Sequence, residues 1–600
     1  FACMMKGRQY NRQILNGEIE CNLYAIPESN NINRKHLDFL GNNILDQKAW
    51  YKAKEEIDEI LDIFIDAKEY GSILDVPDKY NFSVLKDFIK GTKPNEQEMQ
   101  LSDETIGIEQ TQEEVLKILK VAEFLSEKYD MVVTNPPYMG KKSLNSKLSS
   151  FMDEHYPKGK SELYSAFMLK CMDITKHNGF TSMITIHTWM FISSYERLRK
   201  EIINSTTISS MVHTGASTFE ELSSFNVLAT SFCLYKSEMH NYKSKFIRLA
   251  DYYNTKEKIR NYRNPNNEYE INQNEFFIIP GNPFVYWSSD NVRINFEIAK
   301  PIRYYSAPRQ GLATGNNDRF IRNWFEVDLS KIEFNSSSND DAKLSGAKWF
   351  PYNKGGNFRK WYGMNEYIIA FDTQNYNILL NQGNHLPSRH YYFKSGITWS
   401  LFGFENFGVR YKDCGFVFDV SGSSMFPSQE MRLYILAFLA SKVAFMYLSI
   451  LAPTVNFQVG NIGDLPLLID EKIKPQIDIL AKECIDISRE EWNDFEESWD
   501  FKKHPLCQTE DNYLEYIYSQ WEQKANTRYE KLRSNEEEIN RLFISAYNLL
   551  EDVTPEVIDR DIALRKANLQ RDIKGLISYA VGCMFGRYSL DIEGLAYAGG

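Results

Sequence analysis

The sequence predicts an α/β fold: a sheet with helices in the first 240 residues, a mixed α/β region after it, and a helical C-terminal region. Three observations predict it. Between residues 120 and 237, short apolar runs alternate with stretches of helical periodicity, the pattern of a sheet wound on both faces. Residues 308–468 are rich in Gly, Asn, Trp, Phe and Tyr, with one long helical stretch near their end. From residue 471 onward, charge and helical spacing dominate.

Each element has its own signal. The stretch up to residue 93 is helical in pattern, and within 50–64 Ile57, Ile60, Leu61 and Phe64 recur at helical spacing. Strands are predicted at 131–134, 180–186, 210–214 and 227–235. A helix over 161–175 carries Leu163, Phe167, Cys171 and Ile174 on one face, and a second over 194–204 has mixed charge. Residues 248–304 turn polar and Asn-rich and read as a connection between domains. One helix is predicted over 428–451 and another, the clearest of the last region, over 530–550. The domain boundaries drawn from these shifts are 1–240, a connector at 241–305, 306–470 and 471–600.

Composition narrows the class. With 600 residues, 43% hydrophobic and 25% charged, the chain suits several globular cores. No apolar stretch has the length of a membrane span, and no signal-peptide pattern opens the chain. Eight scattered cysteines suggest neither a disulfide scaffold nor a metal site, so a reducing, cytoplasmic protein with no metal is expected. The net charge of −12 excludes no nucleic-acid partner, because phosphate contacts need a local basic surface only. Acid concentrates at 95–114 and 490–500, which read as solvated faces or insertions.

The chemistry-bearing segment is Asn135-Pro136-Pro137-Tyr138, directly after the apolar run 131–134. At the carboxyl end of a strand, this places a side-chain amide, a rigid backbone and an aromatic ring at one point. An aromatic amine is a poor nucleophile because its lone pair is delocalised into the ring. Acceptors on its protons, such as the Asn135 side-chain oxygen and the Pro136 carbonyl, localise that pair. Tyr138 would stack on the base, whose extrusion from a duplex costs a few kcal/mol. Ordinary turn punctuation is the plainer alternative, but a full Asn-Pro-Pro-Tyr after an apolar strand is much more specific.

Here the chain resembles a known family. Residues 129–138 look like motif IV of amino-methyltransferases that use S-adenosyl-L-methionine, 161–167 like the motif V helix, and 179–184 like the next strand. Residues 225–230 resemble the segment beside the target base, which makes Phe225 a possible second stacking ring. Segments 311–317, 351–356, 461–467 and 580–588 extend the likeness to the adenine-specific DNA methyltransferases of BREX phage-defence systems, over essentially the whole chain. The resemblance implies a partial Rossmann-like methyltransferase sheet over 1–240, a DNA target-recognition domain over 306–470, and direct methyl transfer without a covalent enzyme intermediate or a catalytic cysteine. It assigns catalysis to Asn135, Pro136, Pro137 and Tyr138. The helix bearing Ser161, Leu163 and Phe167 is assigned to the cofactor pocket. Double-stranded DNA and other phage-defence proteins are the implied partners. No Asp-Pro-x-x-Gly-x-Gly-like segment precedes Asn135, and residues 1–10 look like the helix that follows the missing acidic strand. A fragment lacking the first part of the cofactor site is therefore expected.

Residues 348–361 interleave Lys348, Lys354, Arg359 and Lys360 with five aromatic residues and no acid. Phosphate contacts by the cations, base reading by Arg359 or Asn353, and close backbone approach at Gly355 are expected there. Arg309, Arg319 and Arg322 are weaker candidates of the same kind. Two other readings stay open. One is a non-catalytic DNA-recognition or assembly subunit; the other is a protein-glutamine methyltransferase, which needs no such recognition region.

Overall fold

The computed structural model describes residues 22–91, 106–219, 227–403, 406–453, 456–508 and 513–596. The expectations for residues 1–10, for the acidic stretch from 95 to 105 and for Phe225 lie outside them. The chain forms two compact units, 1–273 without 190–193, and 274–600 together with 190–193.

The first unit opens with helices α1 (Gln47–Ile63), α2 (Phe82–Lys90) and α3 (Ile108–Ser126). Asp46 caps α1 by accepting the Lys48 amide, and Asn81 caps α2 by accepting that of Val84. Ile57, Ile60 and Leu61 of α1 meet Leu85 and Phe88 of α2 and Val115, Ile118 and Leu119 of α3 in one apolar core. The sheet follows: β1 (Tyr129–Thr134), helices α4 (Ser146–His155) and α5 (Leu163–Ile174), and β2 (Thr175–Ile186). Next come α6 (Glu196–Ser205), β3 (Thr207–Gly215), β4 (Ala229–Tyr235), β5 (Lys243–Arg248), α7 (Thr255–Asn261) and β6 (Glu268–Asn272).

The strand order is β1-β2-β4-β3-β5-β6. β1 runs parallel to β2 and β3 parallel to β5, whereas β4 is antiparallel to both β2 and β3. The expected winding of parallel strands is thus interrupted by the reversed β4, because β3 and β4, adjacent in sequence, pair directly, and the edge strand β6 is also antiparallel, to β5. The connector expected at 241–305 is also corrected: β5 and β6 extend the sheet, with Phe246 paired to Tyr269, so residues 241–273 are part of it. One face of the sheet buries Met183, Met211, Phe232, Leu234 and Phe246. On the other, Met131 and Val133 of the edge strand β1 are 68% and 71% exposed.

The second unit begins with α8 (Asp290–Ile298). It holds a four-stranded sheet of β7 (Ile321–Asn323), β8 (Trp349–Asn353), β9 (Tyr367–Ala370) and β12 (Val417–Phe418), in the order β12-β8-β9-β7. A three-stranded sheet pairs β11 (Val409–Lys412), β10 (Gly396–Trp399) and β13 (Ser424–Met425) in that order. Helices α9 (Gln429–Ala440), α10 (Lys442–Leu451), α11 (Lys474–Asn493), α12 (Leu514–Ala546) and α13 (Leu569–Met584) complete it. The helix expected at 428–451 is two helices meeting at 71°. Ser441 makes the break: its Oγ donates to the Phe438 carbonyl and accepts from the Ala444 amide, ending one helix and capping the next. Both halves are buried with Trp361, Trp399, Ile477, Leu532 and Phe543 in one core, so the boundary drawn at 470 does not separate two cores. Among the described residues no single helix is long and apolar enough to cross a membrane.

The acid at 490–500, expected as a solvated face, is partly buried instead. Glu491 is 2% exposed, bonded by Arg359 at 2.6 Å and by Arg565 at 2.6 Å. Burial alone would push its carboxyl up, but the two guanidiniums hold it below its ordinary value of 4.5. Asp494, bonded by Arg528 at 2.6 Å with Lys524 further off, is pushed up by burial instead. A carboxyl held low in the folded state stabilises fully above its unfolded pKa and loses that contribution as pH falls through the folded one. Urea unfolding between pH 7 and pH 3 is therefore expected to show stability falling below about pH 4.5, and Glu491→Gln to flatten that fall.

Candidate active site at the end of the first strand

Asn135 follows β1 directly, and its side chain is exposed. Pro136 is buried and Pro137 exposed, so the two rings anchor the turn on one side and present it on the other. The Tyr138 hydroxyl donates to Asn135 Oδ1 at 3.0 Å and lies 3.3 Å from the Ile184 carbonyl of β2. That ties the loop to the neighbouring strand, and burial raises the phenol above its ordinary value, keeping it a donor at neutral pH.

The loop is braced from α5. The Leu163 amide donates to the Met139 carbonyl at 2.9 Å and the Lys141 amide to that of Ser161 at 3.2 Å. Glu162, bridged to Gly140, has its carboxyl raised by burial. Tyr164 is fully buried, meets Tyr138 edge to face at 6.3 Å, and hydrogen-bonds Thr188 at 3.0 Å through its hydroxyl. Behind Thr188, His187 Nδ1 and His213 Nε2 are 2.6 Å apart. Burial, with Arg248 nearby, lowers His187 to about 4; burial and the His187 ring lower His213 well below its ordinary value, so both are neutral at physiological pH. Among the described residues no three His, Cys, Asp or Glu side chains gather to hold a metal ion.

The structure thus brings Asn135, Pro136, Pro137, Tyr138 and Ser161 together. Leu163 and Phe167 belong instead to a small core with Ile73, Met152 and Tyr156. Sequence reasoning missed Glu162, Tyr164, His187 and His213 as neighbours of the site. A signal existed, since Glu162 and Tyr164 flank Leu163, and the histidines sit at the ends of the predicted strands 180–186 and 210–214.

The DNA-reading roles expected for Arg359, Lys360, Asn353 and Gly355 are corrected by burial and internal pairing. Arg359 is 6% exposed and spends its guanidinium on Glu491 and on the Tyr362, Ser488 and Ala563 carbonyls. Lys360 pairs with Glu536 at 2.8 Å, and the Trp361 indole donates to the same carboxylate. Asn353, on the fully buried β8, bonds Thr398 at 2.6 Å. A Cβ at Gly355 would lie 2.1 Å from the Ser421 carbonyl oxygen, so this glycine serves internal packing. Lys348 stays exposed above Trp349, and Lys354 half-buried above Tyr367.

Residues 27–219 match the family model described as Eco57I restriction-modification methylase. All of the chain aligns, at 36% identity over 631 residues, with the adenine-specific methyltransferase PglX of Lacticaseibacillus casei (strain Zhang). It is also 32% identical over 636 residues to the adenine-specific methyltransferase BrxX of Escherichia coli O9:H4 (strain HS). The chain spans about half the length of these relatives, 50% and 51%. Among solved structures, the type IIL restriction-modification enzyme MmeI in complex with DNA is similar at 10% identity and a TM-score of 0.43, over 89% of this chain and 76% of that one. The type ISP enzyme LlaGI with a DNA substrate mimic is similar at 12% identity and a TM-score of 0.37, over 64% and 43%.

Two substitutions check the placements. Tyr138→Phe removes the tie to Asn135 and Ile184 and is expected to cost about 1 kcal/mol in urea unfolding of the chain. Arg359→Ala leaves Glu491 buried beside Arg565 alone and is expected to cost ~3 kcal/mol or more in the same assay.

Proposed function

We propose that this chain carries the base-holding half of a DNA adenine-N6 methyltransferase that uses S-adenosylmethionine in a BREX or restriction-modification system. The observation that carries this reading is the exposed Asn135 amide, oriented at the carboxyl edge of the sheet by the Tyr138 hydroxyl. Asn135 Oδ1 has two lone pairs. One takes the Tyr138 proton; the other is free to accept from the exocyclic amine of a flipped adenine. The Pro136 carbonyl is the second acceptor, held by the rigid proline backbone. Together they pull the nitrogen from planar toward tetrahedral and free its lone pair for attack. The names of the relatives, adenine-specific methyltransferases both, support adenine as the base.

S-adenosylmethionine, when bound, supplies the methyl carbon, and the fit of this chain to it is partial. Ser161 and Glu162 flank the loop beside Gly140 and are proposed to meet the cofactor. Leu163 and Phe167 are packed in a core, and the sequence before Asn135 holds no Gly-rich loop. The cofactor grip is proposed to come from the rest of a longer protein. The second unit is proposed to contact duplex DNA, with Lys348, Lys354 and Arg319 as its exposed or half-exposed cations. Other defence-system proteins are proposed partners.

The missing loop also favours a second reading, in which this chain by itself is a non-catalytic DNA-binding piece. Calorimetric titration separates the two: no heat is expected from S-adenosylmethionine added to the isolated chain, and saturable binding would show its cofactor site to be complete. In the full-length protein, Asn135→Ala is expected to lower genomic N6-methyladenine by at least about 100-fold with an unchanged melting temperature, the size of effect seen when one oriented transition-state group is removed. Unchanged methylation would sink the catalytic reading.

A further inference from the structure

We infer that the catalytic sheet carries a second DNA contact, an open cavity beside α7 that takes a nucleotide of the strand flanking the target base. Arg260 and Arg263 hold its phosphate, and Tyr262 stacks on its base. The inference rests on the DNA-methyltransferase reading above.

The cavity has a volume of about 700 Å³, within the range of small-ligand sites. Its floor is Val212 and Thr214 of β3 with Ser231 of β4, and its wall is Ile259 and Tyr262. Because β1 and β2 are parallel, and β4 is reversed against both β2 and β3, the carboxyl ends of β1, β2 and β3 lie at one edge of the sheet. Asn135 and the cavity floor therefore share the edge at which α/β sheets bind ligands. Ser231 lies directly opposite Ile184, whose carbonyl is beside the Tyr138 hydroxyl. At about 4.8 Å per strand, two to three strands place the cavity about 10–15 Å from the Asn135 loop. That corresponds to about three or four nucleotide steps of 3.4 Å.

The chemistry of α7 fits an anionic, base-bearing strand. Lys256, Arg260 and Arg263 are exposed, and among the described residues none of them has a carboxylate partner. Their neighbours Lys245 and Arg248, by contrast, are neutralised by Glu268 and Asp251. Beside these cations Tyr253, Ile259 and Tyr262 are 77%, 72% and 44% exposed. Unpaired cations next to open rings form a platform for phosphate and stacking contacts. On a chain of net charge −12 they make a local positive field. The platform is rigid: the buried Lys258 donates to the Ala216 carbonyl, and Thr255 to that of Ser217 at 3.2 Å, fixing α7 to the turn after β3.

The test uses the full-length protein, a duplex containing its methylation site, and fluorescence anisotropy across a salt series. Arg260→Ala/Arg263→Ala is expected to weaken binding by about tenfold or more and to reduce the slope of log affinity against log salt by about one. The corresponding double lysine variant should keep the slope, and Tyr262→Ala should lose about tenfold in affinity with the slope unchanged. A double alanine variant with the wild-type melting temperature, affinity and slope would overturn the second contact while leaving the methyltransferase reading intact. A wild-type protein that neither binds nor methylates the duplex overturns both.

Discussion

The parallel pairing of β1 with β2 decides where the Asn135 amide points, and the remainder of the site depends on it. Thr134 lies opposite Met183, so the chain leaves the sheet at Asn135 beside Ile184. The Tyr138 hydroxyl lies beside the Ile184 carbonyl and closes the loop on the strand that positions it. Behind the loop, Tyr164, Thr188 and the two neutral histidines form a packed polar layer whose groups find partners inside the protein. A neutral layer suits its position, since an unpaired charge buried there would be costly.

The second unit shows the opposite use of charge. Arg359 and Arg565 converge on Glu491, Lys360 and the Trp361 indole on Glu536, and Arg528 meets Asp494, all largely buried. Such groups are tolerated inside only when paired, because an isolated ion loses its hydration with nothing to replace it. They join the strand region around residues 349–361 to α11 and α12 in one body. Cations without a carboxylate partner among the described residues, such as Lys256, Arg260 and Arg263, are then the ones available to another molecule.

Much of the first unit was legible in the sequence. Strands 131–134, 180–186, 210–214 and 227–235 match β1 to β4 to within a few residues at their ends, except that β2 begins at Thr175. Helix 161–175 is α5, and α1 begins at its Asp46 cap. These signals are local: alternation, helical spacing and capping act over a few residues. The break at Ser441 was less legible, because one hydroxyl bonding in both directions leaves no mark on the hydrophobic pattern around it. The basic and aromatic stretch 348–361 was misread for a different reason. A buried strand with paired cations has the same composition as a nucleic-acid-binding loop.

By itself the sequence determined the first four strands of the first sheet in chain order and the placement of Asn135-Pro136-Pro137-Tyr138 at a strand end, since both follow from short-range stereochemistry. Only the tertiary structure decided which charges are free. Glu491 and Glu536 reach Arg359 and Lys360 across 132 and 176 residues. Pairings at that separation are set by how strands and helices pack. So too the cavity beside α7, lined by β3, β4 and a helix from later in the chain, exists only once the sheet brings distant segments into register.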